Sequence, residues 1–227
     1  MMTSKIDDSR FAEKYVRLIF EGQADLHNIP KTIRVDQTWK PGYLVFCHGV
    51  GIVSRAIRLD QRLNRDTDWE VNHVAILDAP IYDIPLSPVR TIIDWWVIQA
   101  EGHGVTGSRP DGSGFHRAKL SSVAPGGYYE VVAPPSGINL ADVVGFAREE
   151  VGAEYGFFSI ASLVIDQISP KWFPAFRRRD TWICSALAAE ALRAGGWLHD
   201  WDDVYQVRPA QLRAAVKIDS NQPSLVS

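Results

Sequence analysis

The sequence predicts an α+β fold, with a small antiparallel sheet or half-barrel packed against helices. Three observations carry that expectation. Short apolar and aromatic runs bounded by glycine or proline crowd the first half of the chain, while segments with helical spacing crowd the part beyond Pro134 and Pro135. Strands first and helices later is the order of an α+β domain, not of an alternating βαβ sheet. The chain has 227 residues, 46% of them apolar and 22% charged, which is an ordinary globular composition with enough length for one generous core.

Each element follows from local pattern. Asp8 to Glu21 puts Phe11, Tyr15, Val16, Leu18 and Ile19 near helical spacing, predicting one amphipathic helix in an N-terminal arm and connector, residues 1–40. The main domain is expected over 41–216, with a flexible tail at 217–227. After the turn signal Lys40-Pro41-Gly42, the run Tyr43 to Cys47 reads as a buried strand. Ile52 to Leu63 reads as a helix, its Arg55, Arg58 and Arg62, with Arg65, forming a solvated stripe. Val71 to Leu77 and Ile92 to Ala100 read as strands joined by a Pro- and Asp-rich connection, and Tyr128 to Val132 as a third. The glycine-rich stretch Gly102 to Gly114 lacks the strand-to-helix context of a phosphate-binding motif and is expected to be a loop. Helices are then predicted at Asn139–Val151, Phe157–Ile168, Thr181–Ala194 and Pro209–Val216.

Several function classes are disfavoured by composition. A net charge of −3 gives no overall footprint for nucleic acid, and the run Arg177-Arg178-Arg179 reads as a solvated face. No stretch reaches the roughly 20 apolar residues of a membrane span; the most apolar one, Gly156 to Ile165, carries two serines. The first eleven residues mix charges without a signal-peptide core, so the expected address is cytoplasmic. Two cysteines, Cys47 and Cys184, make neither a disulfide framework nor a zinc site, and no metal or organic cofactor is expected.

The chemistry therefore rests on single residues. Asp180-Thr181 reads as a helix start, which places Cys184 in the first turn. There the helix dipole and unpaired backbone N–H groups favour thiolate and offer a cradle for an oxyanion. A cysteine nucleophile needs a histidine as proton acceptor and donor. Among six histidines, His73 stands at the entry of a strand, a rigid place for a base; His48 is the second choice, and His27, His103, His116 and His199 fall in polar or loop settings. On the following strand Val97, Gln99 and Glu101 share a face. An antiparallel hairpin puts both Gln99 and Glu101 within reach of His73, where Glu101 adds charge and Gln99 only orients.

In order along the chain, Pro41-Gly42-Tyr43-Leu44-Val45-Phe46, Gly51 to Arg58, Asn72-His73-Val74-Ala75-Ile76, Gln99 to Val105, Tyr155-Gly156 and Ile183-Cys184-Ser185 resemble the circularly permuted NlpC-type papain-like hydrolases. That group is related to the YiiX/YebB-type bacterial proteins and to lecithin:retinol acyltransferase-like enzymes. The resemblance spans Pro41 to about Leu212. It implies Cys184 as nucleophile, His73 as base, Gln99 as orienting residue and Tyr155 lining a substrate groove. Tyr43 stands where the family often has an acidic residue, and Gln99 where Glu or His is more usual, so Glu101 is kept as the alternative third member. The implied activity is a cysteine hydrolase, peptidase or amidase, acting on a cell-wall peptide-like amide through a thioester. The alternatives are a lipid acyl hydrolase or acyltransferase, with Trp95, Trp96, Phe157, Phe158, Trp172 and Phe173 as candidates for an apolar groove, and a non-catalytic binding or assembly module. A cell-wall substrate would require delivery by lysis, a phage particle or specialised secretion.

Overall fold

A computed structural model describes residues 35–48, 52–83, 90–101, 114–123, 129–155, 181–201, 203–204 and 207–220. The helices expected at Asp8–Glu21 and Phe157–Ile168 lie outside them, as do the arginine run and residues 221–227. In chain order the elements are β1 (Leu44–Cys47), α1 (Ile52–Leu63), β2 (His73–Tyr82), β3 (Ile92–Glu101), β4 (Gly114–Lys119), α2 (Leu120–Val123), β5 (Tyr129–Val132), α3 (Leu140–Glu149), β6 (Glu154–Tyr155), β7 (Thr181–Trp182), α4 (Cys184–Ala194) and α5 (Pro209–Ser220). The fold is α+β. Five antiparallel strands in the order β5-β1-β2-β3-β4 form the sheet, and β6, antiparallel to β4, and β7, parallel to β6, extend one edge.

Alternation divides the sheet side chains into two layers. Leu44, Phe46, Val74, Ile76 and Ile98 pack with Val143 and Ala147 of α3, Ala188 and Leu192 of α4, and Leu212 and Val216 of α5. Val45, Cys47, Ala75, Leu77, Trp95 and Val97 form the opposite layer with Leu120 and Val123 of α2. Close approach is enforced by glycine at two places. At Gly195, just past α4, a Cβ would stand 2.6 Å from Val143 Cγ2 and 2.9 Å from the Asn139 carbonyl, so α4 ends tightly on the start of α3. Gly42 has φ +89° and abuts Leu140, a turn that L side chains adopt at a cost.

Several boundaries differ from expectation, each for a physical reason. β2 runs on through Pro80 to Tyr82. Its ladder to β1 ends at Leu44↔Ile76, so Pro80 sits where β2 is paired on one side only and a missing N–H is tolerated. A register shift between Leu77 and Ala79 leaves Asp78 as the bulged residue. Asp78 is 2% exposed, and it takes the guanidinium groups of Arg117 at 2.5 Å and Arg148 at 2.6 Å, tying β4 and α3 to β2. Gly114 opens strand β4, which the glycine-rich stretch conceals in the sequence. Thr181-Trp182 is a strand beside β6, so α4 begins at Cys184 and not at Thr181. Helix α5 continues through Ser220, with Lys217 paired to Glu130 at 2.6 Å and Asp219 accepting from Trp197 Nε1 at 2.9 Å, so the expected tail cannot start at residue 217.

Candidate active site

The register of the sheet assembles a polar row. Cys47 pairs with His73, Ala75 with Gln99 and Gln99 with His116. Gln99 is 6% exposed, and both ends of its amide are engaged: Oε1 lies 2.9 Å from His73 Nε2, and Nε2 lies 3.2 Å from His116 Nε2. A carbonyl oxygen only accepts, so His73 donates from Nε2, and the neutral ring holds its lone pair on Nδ1. An amide nitrogen only donates, so His116 accepts on Nε2.

The ladder between β2 and β3 stops at Ala75↔Gln99, although β2 begins two residues earlier at His73. The start of α4 meets the sheet at this open end. Its N-cap, Ile183, has an extended backbone and supplies no side-chain acceptor. Instead, the backbone N–H groups of Val74, Ser185 and Cys184 itself are aimed at the Cys184 thiol and favour its thiolate. Burial outweighs them: Cys184 is 2% exposed, and desolvation pushes the thiol up to about 11. The N–H groups act in the direction expected of a helix terminus, and burial acts against them. Cys47 is pushed further, to about 12, by burial and then by the neighbouring Cys184. Ser185 anchors the same turn by donating to the Val207 carbonyl at 2.5 Å.

By alternation His73 belongs with Cys47 and Ala75 to the layer remote from α4, whereas Cys184 packs with Ala100, Phe115 and Leu187 on the helical side. The thiol meets the sheet at the backbone N–H of Val74, the residue after His73. Of the two expected orienting residues, Gln99 bonds His73. Glu101 is the last residue of β3, in register with Gly114, and Tyr155 is in β6 beside Trp182 of β7; the side chains of both lie outside the description. His48 is shifted down by burial first, with Glu70 opposing and Arg58 reinforcing. His199 stacks on Trp197 at 4.8 Å between ring centroids, far along the chain from the row. Trp95 is core, 1% exposed, and Trp96 carries the Arg117 guanidinium at 4.9 Å from its ring. Trp172, Phe173, Phe157 and Phe158 lie outside the described residues.

His116 is the member that sequence reasoning missed. No alternation flags it: Phe115, buried, and Arg117, about half exposed, share one face of β4, and His116 shares the other with Ala118. Among the described residues no group of three or more His, Cys, Asp or Glu is arranged to hold a metal ion, and no helix is long and apolar enough to cross a membrane. Compared with known proteins, the chain matches no family model, no curated protein and no solved structure.

Proposed function

We propose that this domain is a papain-like cysteine hydrolase of the permuted NlpC type, acting on a peptide amide through a thioester. The observation that carries the reading is the Cys184 thiol lying against the Val74 backbone, one residue from a histidine whose tautomer Gln99 fixes. In the first step His73 Nδ1 takes the Cys184 S–H proton as sulfur attacks the substrate carbonyl carbon. The oxyanion that forms is met by backbone N–H groups at the start of α4. Collapse expels the amine, which receives the proton from the imidazolium, and leaves an acyl group on sulfur. Water attacks this thioester, His73 takes its proton, and the carboxylic acid leaves as the thiolate is reprotonated. Because the resting thiol is neutral and buried, the reading requires substrate binding to uncover it, and proton transfer accompanies attack instead of preceding it.

The same burial favours a second reading, a binding module on this scaffold that performs no turnover. Mass spectrometry of the protein incubated separately with peptidoglycan fragments and with acyl lipids separates the readings. A peptide-derived acyl adduct on Cys184 supports the peptidase; a fatty-acyl adduct moves the substrate to lipid; no adduct, with bound fragments retained, supports the module.

A further inference from the structure

His116 lies on β4 directly opposite Gln99, half-buried, at the far end of the hydrogen-bonded chain that begins at His73. A glutamine amide has nearly the same shape in either orientation, so its partners decide which end faces which. With its carbonyl toward His73, the imidazole keeps the proton on Nε2 and a basic lone pair on Nδ1. Turned over, the amide donates to Nε2, the proton moves to Nδ1, and the base is lost.

We propose that His116 is a positioning residue: by accepting from Gln99 Nε2 it pins the amide carbonyl on His73 and thereby keeps His73 in the tautomer that can act as a base. The effect on turnover rests on the hydrolase reading above; the effect on the tautomer does not. A consequence follows for pH. Protonated His116 has no acceptor left at Nε2, so the amide turns over and His73 is switched out of its basic form. Among the described residues the titratable groups on the surrounding elements are His73 of β2, Cys47 of β1 and, in register beside Gly114, Glu101 of β3 and Glu154 of β6. Arg117 alternates to the other face, where it binds Asp78.

Nitrogen NMR of ¹⁵N-histidine-labelled protein reads the tautomers directly. In the wild type the neutral rings are expected to carry the proton on Nε2 in His73 and on Nδ1 in His116, and the His73 nitrogens are expected to shift at the His116 midpoint during acidification. His116→Leu should leave His73 as a mixture of tautomers and lower turnover by roughly 10- to 100-fold. His116→Gln presents an amide carbonyl near the Nε2 position; it should restore the His73 tautomer and turnover and remove one protonation from the acid limb of kcat/KM. An unchanged His73 tautomer in His116→Leu, or a wild-type His116 carrying its proton on Nε2, overturns the proposal. The wild-type titration decides the matter even where a variant does not fold. The expected tautomers without any acyl adduct on Cys184 count against the hydrolase reading and leave the positioning role standing.

Discussion

The bulge in the middle of strand β2 and the strand's open start hold polar groups under opposite regimes. At the bulge, Asp78 meets two guanidinium groups at 2.5 and 2.6 Å, so its charge is compensated where it is buried. At the open end the row of His73, Gln99 and His116 is joined by uncharged hydrogen bonds, and backbone N–H groups are aimed at the Cys184 thiol, which neighbours Cys47. The bulge ties three elements together and gains from fixed charges. At the open end, proton positions are set by neighbouring dipoles and by burial, the condition in which small changes of surroundings move a proton. On the proposed reading the bulge is architectural and the open start of the strand carries the chemistry.

The largest expected effect tests that assignment at the nucleophile. Cys184→Ala is expected to abolish turnover, a loss beyond roughly 1000-fold, while the thermal midpoint stays close to wild type, because Ala186, Ala188 and Ala189 already line that helix. Cys47→Ala should keep turnover and cost about 1 kcal/mol of packing. Steady-state assays of both variants decide it; an active Cys184→Ala protein would falsify the nucleophile. The thiols supply a second check. With ionisation near 11 for Cys184 and 12 for Cys47, alkylation by iodoacetamide in the absence of substrate should be slow at neutral pH and rise with pH, Cys184 leading. Fast modification of Cys184 at about pH 7 would show a resting thiolate and break the contrast between burial and N–H donation.

Next in size is the orienting residue. Gln99→Ala frees the His73 ring and is expected to reduce turnover by roughly 10- to 1000-fold, mainly in kcat. Glu101→Gln is expected to change it little, since the bond to His73 is made by Gln99. A larger loss in the Glu101 variant, with a lowered His73 pKa, reverses the assignment.

How far these residues were legible in the sequence depends on whether their placement is local. His73 at a strand entry and Gln99 on the matching face follow from two-residue alternation and an antiparallel hairpin, and both take those positions. His116 was hidden because the signal for β4 begins at Gly114, inside a glycine-rich stretch that reads as loop. The start of α4 was misplaced because Asp180-Thr181 has the chemistry of a cap, yet Thr181 and Trp182 pair with β6, a long-range contact that outweighs local propensity. Burial of the Cys184 thiol is likewise tertiary: it depends on Ala100 and Phe115 from distant strands. A helix-terminus argument sees the N–H groups and not the desolvation that outweighs them.

At the bulge of β2 the expected effect is on stability. Asp78→Ala removes the acceptor for Arg117 and Arg148, whose side chains are about half exposed and regain water. The cost is therefore expected at about 2 kcal/mol, below the range for breaking a fully buried pair, measured by urea unfolding. Turnover per folded molecule should remain within a few-fold of wild type. A folded Asp78→Ala protein with lost activity would mean that the bulge and the open start of the strand are not separable.

An effect confined to a window of pH concerns a buried acid intermediate between the two regimes. Asp60 on α1 is 4% exposed, with the Arg208 guanidinium at 3.8 Å while that arginine bonds Asp66 more closely at 2.6 Å. Burial raises the Asp60 carboxyl to about 6 against an ordinary 3.8, with Arg208 opposing and Asp66 reinforcing. A carboxyl raised on folding binds protons more readily in the native state. Its contribution therefore lowers stability as pH rises from about 4 to about 6, and the penalty is fully present above that window. His48, shifted down by burial, contributes in the opposite sense near its own titration, so the difference between two proteins is the cleaner quantity. Asp60→Asn removes the charge and retains an oxygen for Asn64 Nδ2, now 3.1 Å from Asp60 Oδ1. Relative to wild type, the variant should gain on the order of 2 kcal/mol between about pH 4 and 6.5. Urea unfolding at half-unit steps across that interval measures it, and parallel pH profiles for the two proteins would mean that Arg208 compensates Asp60 as fully as the arginines compensate Asp78.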